Sequence, residues 1–211
     1  MNKNKVLQDF DNEWKEFKGY TWLGDITQKS IVKAVRDVFE EINLPKNAKI
    51  IDMGCGVCKM ITAFRKCGYK NSIGIDFSAE SIKRGVEKGF QENKDIFIMD
   101  ATNTIFLDGE FTLTFEEGVL EHYKNHSYVS FIKEMTRISN RYVLIAQPDP
   151  FSLYGRITQL FYTISKRGVK EYPYKMNDFV NVFEQENFVL NFIKKTVLRD
   201  WYILLFERGK K

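Results

Sequence analysis

The feature that most constrains this chain is an alternation, between residues 28 and 146, of apolar runs too short for a helix with segments whose apolar positions recur every three or four residues. The short runs read as buried strands and the 3.6-residue period as amphipathic helix. Over Gln28–Ile42, the side chains Ile31, Val32, Val35, Val38, Phe39 and Ile42 share one helical face, and Pro45 follows as a stop. Lys49–Met53 then reads as a strand, Cys58–Cys67 as a helix, Ser72–Ile75 as a strand, and Ser78 as the N-cap of the next helix. Ile96–Met99 and Phe111–Phe115 read as strands, Tyr128–Ser139 as a helix and Tyr142–Ala146 as a strand. Beyond them, Phe151–Ser165 and Asn177–Asn187 are helix candidates, and Val189–Val197 and Trp201–Phe206 are β-rich segments joined by a short turn at Arg199-Asp200. Strands linked by helical crossovers must run parallel in a sheet covered on both faces, whereas the last pair must be antiparallel. The expected fold class is α/β: a three-layer α/β/α sandwich with an antiparallel C-terminal hairpin at one edge of a mostly parallel sheet.

No repeat, low-complexity tract or linker divides residues 1–211, which predicts a single domain. Hydrophobic residues make up 44% of it, enough for a substantial core, so disorder is excluded as the reading. The N-terminus lacks a signal-peptide pattern, and the longest apolar runs, such as Trp201–Phe206, are too short to span a bilayer. Cys55, Cys58 and Cys67 are crowded and odd in number, which suits a reducing compartment, and a cytoplasmic location is expected. Net charge is +4, but from Phe151 onward 11 basic residues face 6 acidic ones. Such a balance fits either an anionic acceptor or an ordinary solvated surface.

In sheets of this kind, ligands bind at the carboxyl ends of the strands. After the first strand come Asp52, Gly54, Cys55 and Gly56, where absent side chains let backbone approach a ligand and the next helix offers free N–H groups. Asp76 follows the second strand, 22 residues past Gly54, where a carboxylate can accept hydrogen bonds from a ribose diol. Asp100-Ala101 follows the third strand, placed for an adenine edge, and Glu116-Glu117-Gly118 follows the fourth. The glycines alone also fit a tight structural turn. A dinucleotide site needs a further glycine where Lys59 stands, so a smaller adenosine-bearing ligand fits better.

The ordered set Ile50-Ile51-Asp52-Met53-Gly54-Cys55-Gly56, Ile73-Gly74-Ile75-Asp76, Asp100-Ala101 and Gly118-Val119-Leu120-Glu121-His122 resembles the motifs of class I S-adenosylmethionine-dependent methyltransferases. The match covers residues 50 to 122. Val143–Pro150 is similar to that family's fifth strand and Trp201–Arg208 to its last, and the Gly-Val-Leu-Glu-His stretch points to the branch acting on small molecules. The resemblance implies a Rossmann-like seven-stranded sheet and transfer of a methyl group from S-adenosylmethionine to an O or N atom of a small-molecule acceptor, leaving S-adenosylhomocysteine. It implies that Gly54, Cys55 and Gly56, with Asp52 behind them, face the methionine end of the cofactor. Asp76 would hold the ribose, Phe77 would flank adenine, Asp100 and Ala101 would meet its edge, and Glu117 would lie near the cofactor. Cys58 departs from the pattern by standing where a third glycine is usual.

Methyl transfer asks mainly for in-line placement, plus a base where the acceptor holds a proton. His122, just past the fourth strand, is the candidate base; its alternative is to cap or pack the next helix. Some relatives hold a divalent metal with Glu-x-x-Glu-His, but Gly118 occupies the first glutamate position here, so no metal is expected. His126 reads as a surface or N-cap residue, and Cys55-x-x-Cys58 lacks a thioredoxin-like context. No Asn-Pro-Pro-Tyr or Pro-Cys pattern follows the fourth strand, so nucleic acid loses support as a substrate.

The family covers its acceptor with the N-terminal segment, here residues 1–27, and with the insert after the fifth strand, here 151–187. Trp14, Phe17, Tyr20 and Trp22 in the first, and Phe151, Tyr154, Ile157, Phe161, Tyr162 and Ile164 in the second, are suited to wall an apolar pocket. With Arg156, Lys166, Arg167 and Lys170, the insert also fits a membrane surface, a lipid-like or acidic acceptor, or plain helix packing. Two other functions compete: a catalytically silent cofactor-binding subunit that supports a partner, and a nucleotide-dependent oxidoreductase, which Lys59 opposes.

Overall fold

The computed structural model of the protein describes residues 3–16, 19, 22–152, 155–156, 170–197 and 200–210. Two helices, α1 (Lys3–Glu16) and α2 (Trp22–Glu41), precede an alternating series: β1 (Ile50–Met53), α3 (Lys59–Lys66), β2 (Ser72–Asp76), α4 (Ala79–Glu87), β3 (Ile96–Ile98) and β4 (Phe111–Glu117). Short 3₁₀ turns at Leu120–His122 and Lys124–His126 lead into α5 (Val129–Ile138) and β5 (Ser139–Pro148). The chain closes with α6 (Met176–Gln185), β6 (Phe188–Lys195) and β7 (Trp201–Arg208).

The seven strands form one sheet in the order β3-β2-β1-β4-β5-β7-β6. Pairing is parallel from β3 through β5, with Asp52 beside both Gly74 and Phe115, and antiparallel where β7 inserts between β5 and β6. This is the Rossmann-like arrangement expected. Because successive strand residues face opposite sides, the apolar strands serve two cores at once. Ile50, Leu144, Ile203 and Leu205 pack with α2 and α3 on one face, while Ile51, Val143, Ile145, Leu204 and Phe206 pack with α5 and α6 on the other. On α2, the predicted face is buried through Ile31, Val35, Val38 and Phe39, each worth about 1.5–3 kcal/mol of burial before ordering costs.

Several boundaries differ from expectation. Helix α2 begins at Trp22 rather than Gln28, with Asp25 in its first turn complementing the helix dipole. Strand β5 runs three residues further at its start than Tyr142 because Ser139 still pairs with Phe111. Cys58 is not the first residue of α3 but its N-cap, in left-handed conformation. Most of the predicted helix Phe151–Ser165 lies outside the described residues, with Tyr154, Ile157, Phe161, Tyr162 and Ile164; so do Lys166, Arg167, Phe17, Tyr20 and Arg199. Among the described residues no helix is long and apolar enough to cross a membrane.

Candidate active site

The order of the strands reverses between β1 and β4, and the carboxyl ends of β1, β2, β3 and β4 form one rim above that point. After β1 the chain turns at Gly54, φ +86°, where a side chain would be strained and its Cβ would stand 2.5 Å from Val119 Cγ2. The N–H groups of Gly54 and Cys55 both donate to the Ile75 carbonyl of β2, at 2.8 and 2.9 Å. Cys58 takes φ +62° itself, the conformation for which a glycine is usual. Its thiol is accommodated because α4 presents Gly85 opposite: a Cβ there would lie 2.7 Å from Cys58 Sγ.

Asp76, only 6% exposed, ties the first two loops together. Its Oδ2 accepts from the Gly56 N–H at 2.9 Å and its Oδ1 from the Ser78 N–H at 2.8 Å, and the Ser81 side chain bonds the carboxylate as well. Burial pushes its pKa up, opposed by these three donors. Ser78 caps α4 as predicted, accepting from the Ser81 N–H at 3.2 Å, and its hydroxyl also bonds Asp11 of α1. Past β3, Asp100 Oδ1 accepts from the N–H and hydroxyl of Thr102, and Ala101 packs at the margin of the α5 core. The buried phenol of Tyr123 lies in the field of Asp100, Glu116 and Asp76, which together with burial holds it protonated.

The end of β4 is equally acidic. Glu116 is fully buried and accepts from Gln147 Nε2 at 2.9 Å on each oxygen and from the Val119 N–H at 3.1 Å. Glu117 accepts from Gln28 Nε2 of α2, and burial raises its pKa despite that bond and the nearby Lys59. Asp52 is 2% exposed; burial first, then the charges of Glu117, Cys58 and Asp76, raise its pKa well above the usual range. Lys59, half-buried beside them, is pushed down to about 8 by burial.

Helix α1 lies across this rim. Phe10 meets Phe77 edge to face at 5.2 Å and His122 at 5.1 Å, and Trp14 rests on Gly56, where a Cβ would be 2.8 Å from its ring. Of the aromatic residues expected over the acceptor in the N-terminal segment, Phe17 and Tyr20 lie outside the described residues. Trp14 covers the glycine loop, because only a residue without a side chain lets the indole settle there, and Trp22 is 75% exposed. His122 Nδ1 lies 3.1 Å from the Lys170 carbonyl oxygen. Since a carbonyl only accepts, Nδ1 carries the proton and the Nε2 lone pair is left to act as a base. His126 contacts Tyr128 and Tyr174 instead, with Nδ1 2.7 Å from the Tyr128 hydroxyl.

Comparison with known proteins places this arrangement. A family profile described as a methyltransferase domain matches residues 50–141. The matched stretch contains β1 through β4, the strands whose carboxyl ends form the rim. An uncharacterized protein of Methanocaldococcus jannaschii is 28% identical over 107 residues, which span 50% of this chain and 44% of that protein. Magnesium protoporphyrin IX methyltransferase from Synechocystis PCC 6803, crystallised with S-adenosylhomocysteine, superposes with a TM-score of 0.72 at 19% identity, covering 99% of this chain and 96% of that one. An S-adenosylmethionine-dependent methyltransferase of Thermotoga maritima, a possible histamine N-methyltransferase, gives 0.75 at 13% identity over 96% of this chain and 99% of that one. At such identities the superpositions establish the fold of the domain.

Within the matched stretch, Asp52, Gly54, Cys55, Gly56, Asp76 and Glu117 converge, with Phe77, Asp100 and Ala101 at the adjoining strand ends. Sequence reading passed over Gln28, Gln147, Asp11 and Glu171. The first two are amides that signal nothing until a buried carboxylate is found opposite them. Glu121 was read as part of the Gly-Val-Leu-Glu-His stretch and of an incomplete metal motif, without a role of its own; among the described residues no three His, Cys, Asp or Glu side chains are grouped as a metal would require.

Proposed function

We propose that the chain is an S-adenosylmethionine-dependent methyltransferase that acts on an O or N atom of a small molecule rather than on nucleic acid. The observation that carries this reading is the convergence, on one rim, of the glycine loop, a buried Asp76 oriented by the Gly56 and Ser78 amides, and a surplus of buried carboxylates. The residues fit the cofactor chemically: Asp76 suits a diol, and the negative field of Asp52 and Glu117 suits a sulfonium and an α-amino group. When bound, the cofactor supplies a methyl group on positively charged sulfur.

The chain's own residues do the rest. Asp52, Gly54, Cys55 and Gly56 receive the methionine end, Asp76 the ribose, and Phe77, Asp100 and Ala101 the adenine. Trp14 and Phe10 exclude water from above. His122 Nε2 takes a proton from the acceptor as the new bond forms, its ring held by the Lys170 carbonyl and Phe10. Isothermal titration with S-adenosylhomocysteine and with NAD tests the reading. Saturable heat with the first and none with the second is expected, and the reverse pattern would make the protein an oxidoreductase.

A further inference from the structure

Beside the cofactor rim lies a second, smaller space, lined by Glu121, Gln147, Pro148, Glu171, Tyr172 and Tyr174 among others. It spans about 30 Å³, room for one or two groups the size of water. Glu121 comes from the turn after β4 and is only 6% exposed. Its Oε2 is buried with no hydrogen-bond partner among the described residues. Gln147 bonds both oxygens of Glu116 and also reaches the Glu121 carboxylate, yet Oε2 itself receives nothing. The Tyr172 N–H donates to the Glu121 carbonyl at 2.7 Å, which pins the segment before α6 over the cavity and sets Glu171 at its mouth. Among the described residues, the charged neighbours of Glu171 are Glu121, His122 and Glu13, so the carboxylates outnumber the one imidazole.

Leaving a buried carboxylate oxygen unpaired is costly, and a cavity with two carboxylates lacks what a cation would bring. We propose that this cavity is the acceptor's recognition site and that it takes an alkylammonium head, so that the methyl acceptor is a small molecule bearing a protonated amine. The inference rests on the methyltransferase reading for the word acceptor but not for the binding itself. An ammonium fits by size, by charge and by its three donors, which Glu121 Oε2 and Glu171 can receive. An acidic acceptor, which the basic C-terminal third would suit, meets repulsion here. Burial pushes Glu121 up to about 8, as expected of a carboxyl with no cationic partner among the described residues.

The test uses n-butylammonium with 1-butanol and butyrate as neutral and anionic isosteres, titrated calorimetrically into the full chain at pH 8.5. The ammonium is expected to bind at least tenfold more tightly than either isostere. Glu121→Gln, which keeps the shape of the side chain, removes that preference, and Glu171→Gln reduces it severalfold. S-adenosylhomocysteine binding, measured on the same samples, stays unchanged in both variants. Equal binding of the three probes, or a preference that survives in both variants, overturns the proposal; so does displacement of the ammonium by micromolar Mg²⁺ or Mn²⁺, which would make the site a metal site. Loss of S-adenosylhomocysteine binding by the unaltered protein would instead sink the methyltransferase reading, leaving the ammonium preference to stand or fall on its own data.

Discussion

At the carboxyl end of β2, Asp76 is buried with a backbone amide on each oxygen; past the end of β4, Glu121 is buried to the same degree, and one of its oxygens meets nothing among the described residues. Both are 6% exposed, so the difference lies in what the surrounding chain supplies. Around Asp76 the supply is local: Gly56 and Ser78 belong to the turns that the strand ends themselves create. Around Glu121 the neighbours Gln147, Glu171 and Tyr172 come from distant parts of the chain, and none donates to Oε2. A carboxylate with its charge spread over fixed amides is preorganised for a neutral partner such as a diol. One left bare is suited to a partner that brings its own positive charge.

The comparison breaks first at His122, which stands between the two halves. His122→Ala should lower turnover by about 10²–10⁴-fold while S-adenosylhomocysteine binding stays within a factor of two or so of the original. Full activity would reduce the residue to a packing partner of Phe10. On the cofactor side, Gly54→Ala places a Cβ 2.5 Å from Val119 Cγ2 at φ +86°. It should cost about 1–3 kcal/mol of stability and shift the loop that receives the methionine end. A melting curve and a titration check the two effects separately. Asp76→Ala should weaken S-adenosylhomocysteine at least tenfold, since a charged hydrogen bond contributes roughly 1.5–3 kcal/mol. Unchanged affinity would remove the ribose assignment.

How much of this was readable beforehand follows the same division. The sheet was legible because its strands are buried on both faces and its helices on one, so Val143–Ala146 reads as a continuous apolar run, Ile50–Met53 as one broken only by Asp52, and Ile31, Val35 and Val38 as a helical stripe. The cofactor rim was legible because each residue sits at a fixed offset from a strand end, a spacing that sequence records. Cys58 looked like a defect until Gly85, on another helix, was seen to make room for its thiol. Helix α1 and the start of α2 were not read as helices, since the sequence there combines aromatic and charged residues without a clean face. The Glu121 cavity was invisible because it is assembled from the turn at 121, the end of β5 at 147 and the segment 171–174, and nothing in a linear pattern records that an oxygen lacks a partner.

The finest distinction between the two carboxylates is their response to pH. Glu121 is pushed up to about 8 from an ordinary 4.5, so its protonated form is favoured in the folded state. A carboxyl raised in this way contributes stability that is full below about pH 4.5 and is lost as pH rises through about 8. At 1.36 kcal/mol per unit the upper limit is ~5 kcal/mol, which the charges facing it from Glu116 and Glu117 on β4 and from Glu171 will share among several groups. Glu121→Gln removes the ionisation while keeping the amide-sized side chain. The variant should match the unaltered protein near pH 6 and melt several degrees higher at pH 9, a gap that n-butylammonium should narrow by stabilising only the unaltered protein. Superimposable melting curves at pH 9 would mean that Glu121 already has a counter-charge there, and the contrast with Asp76 would be lost.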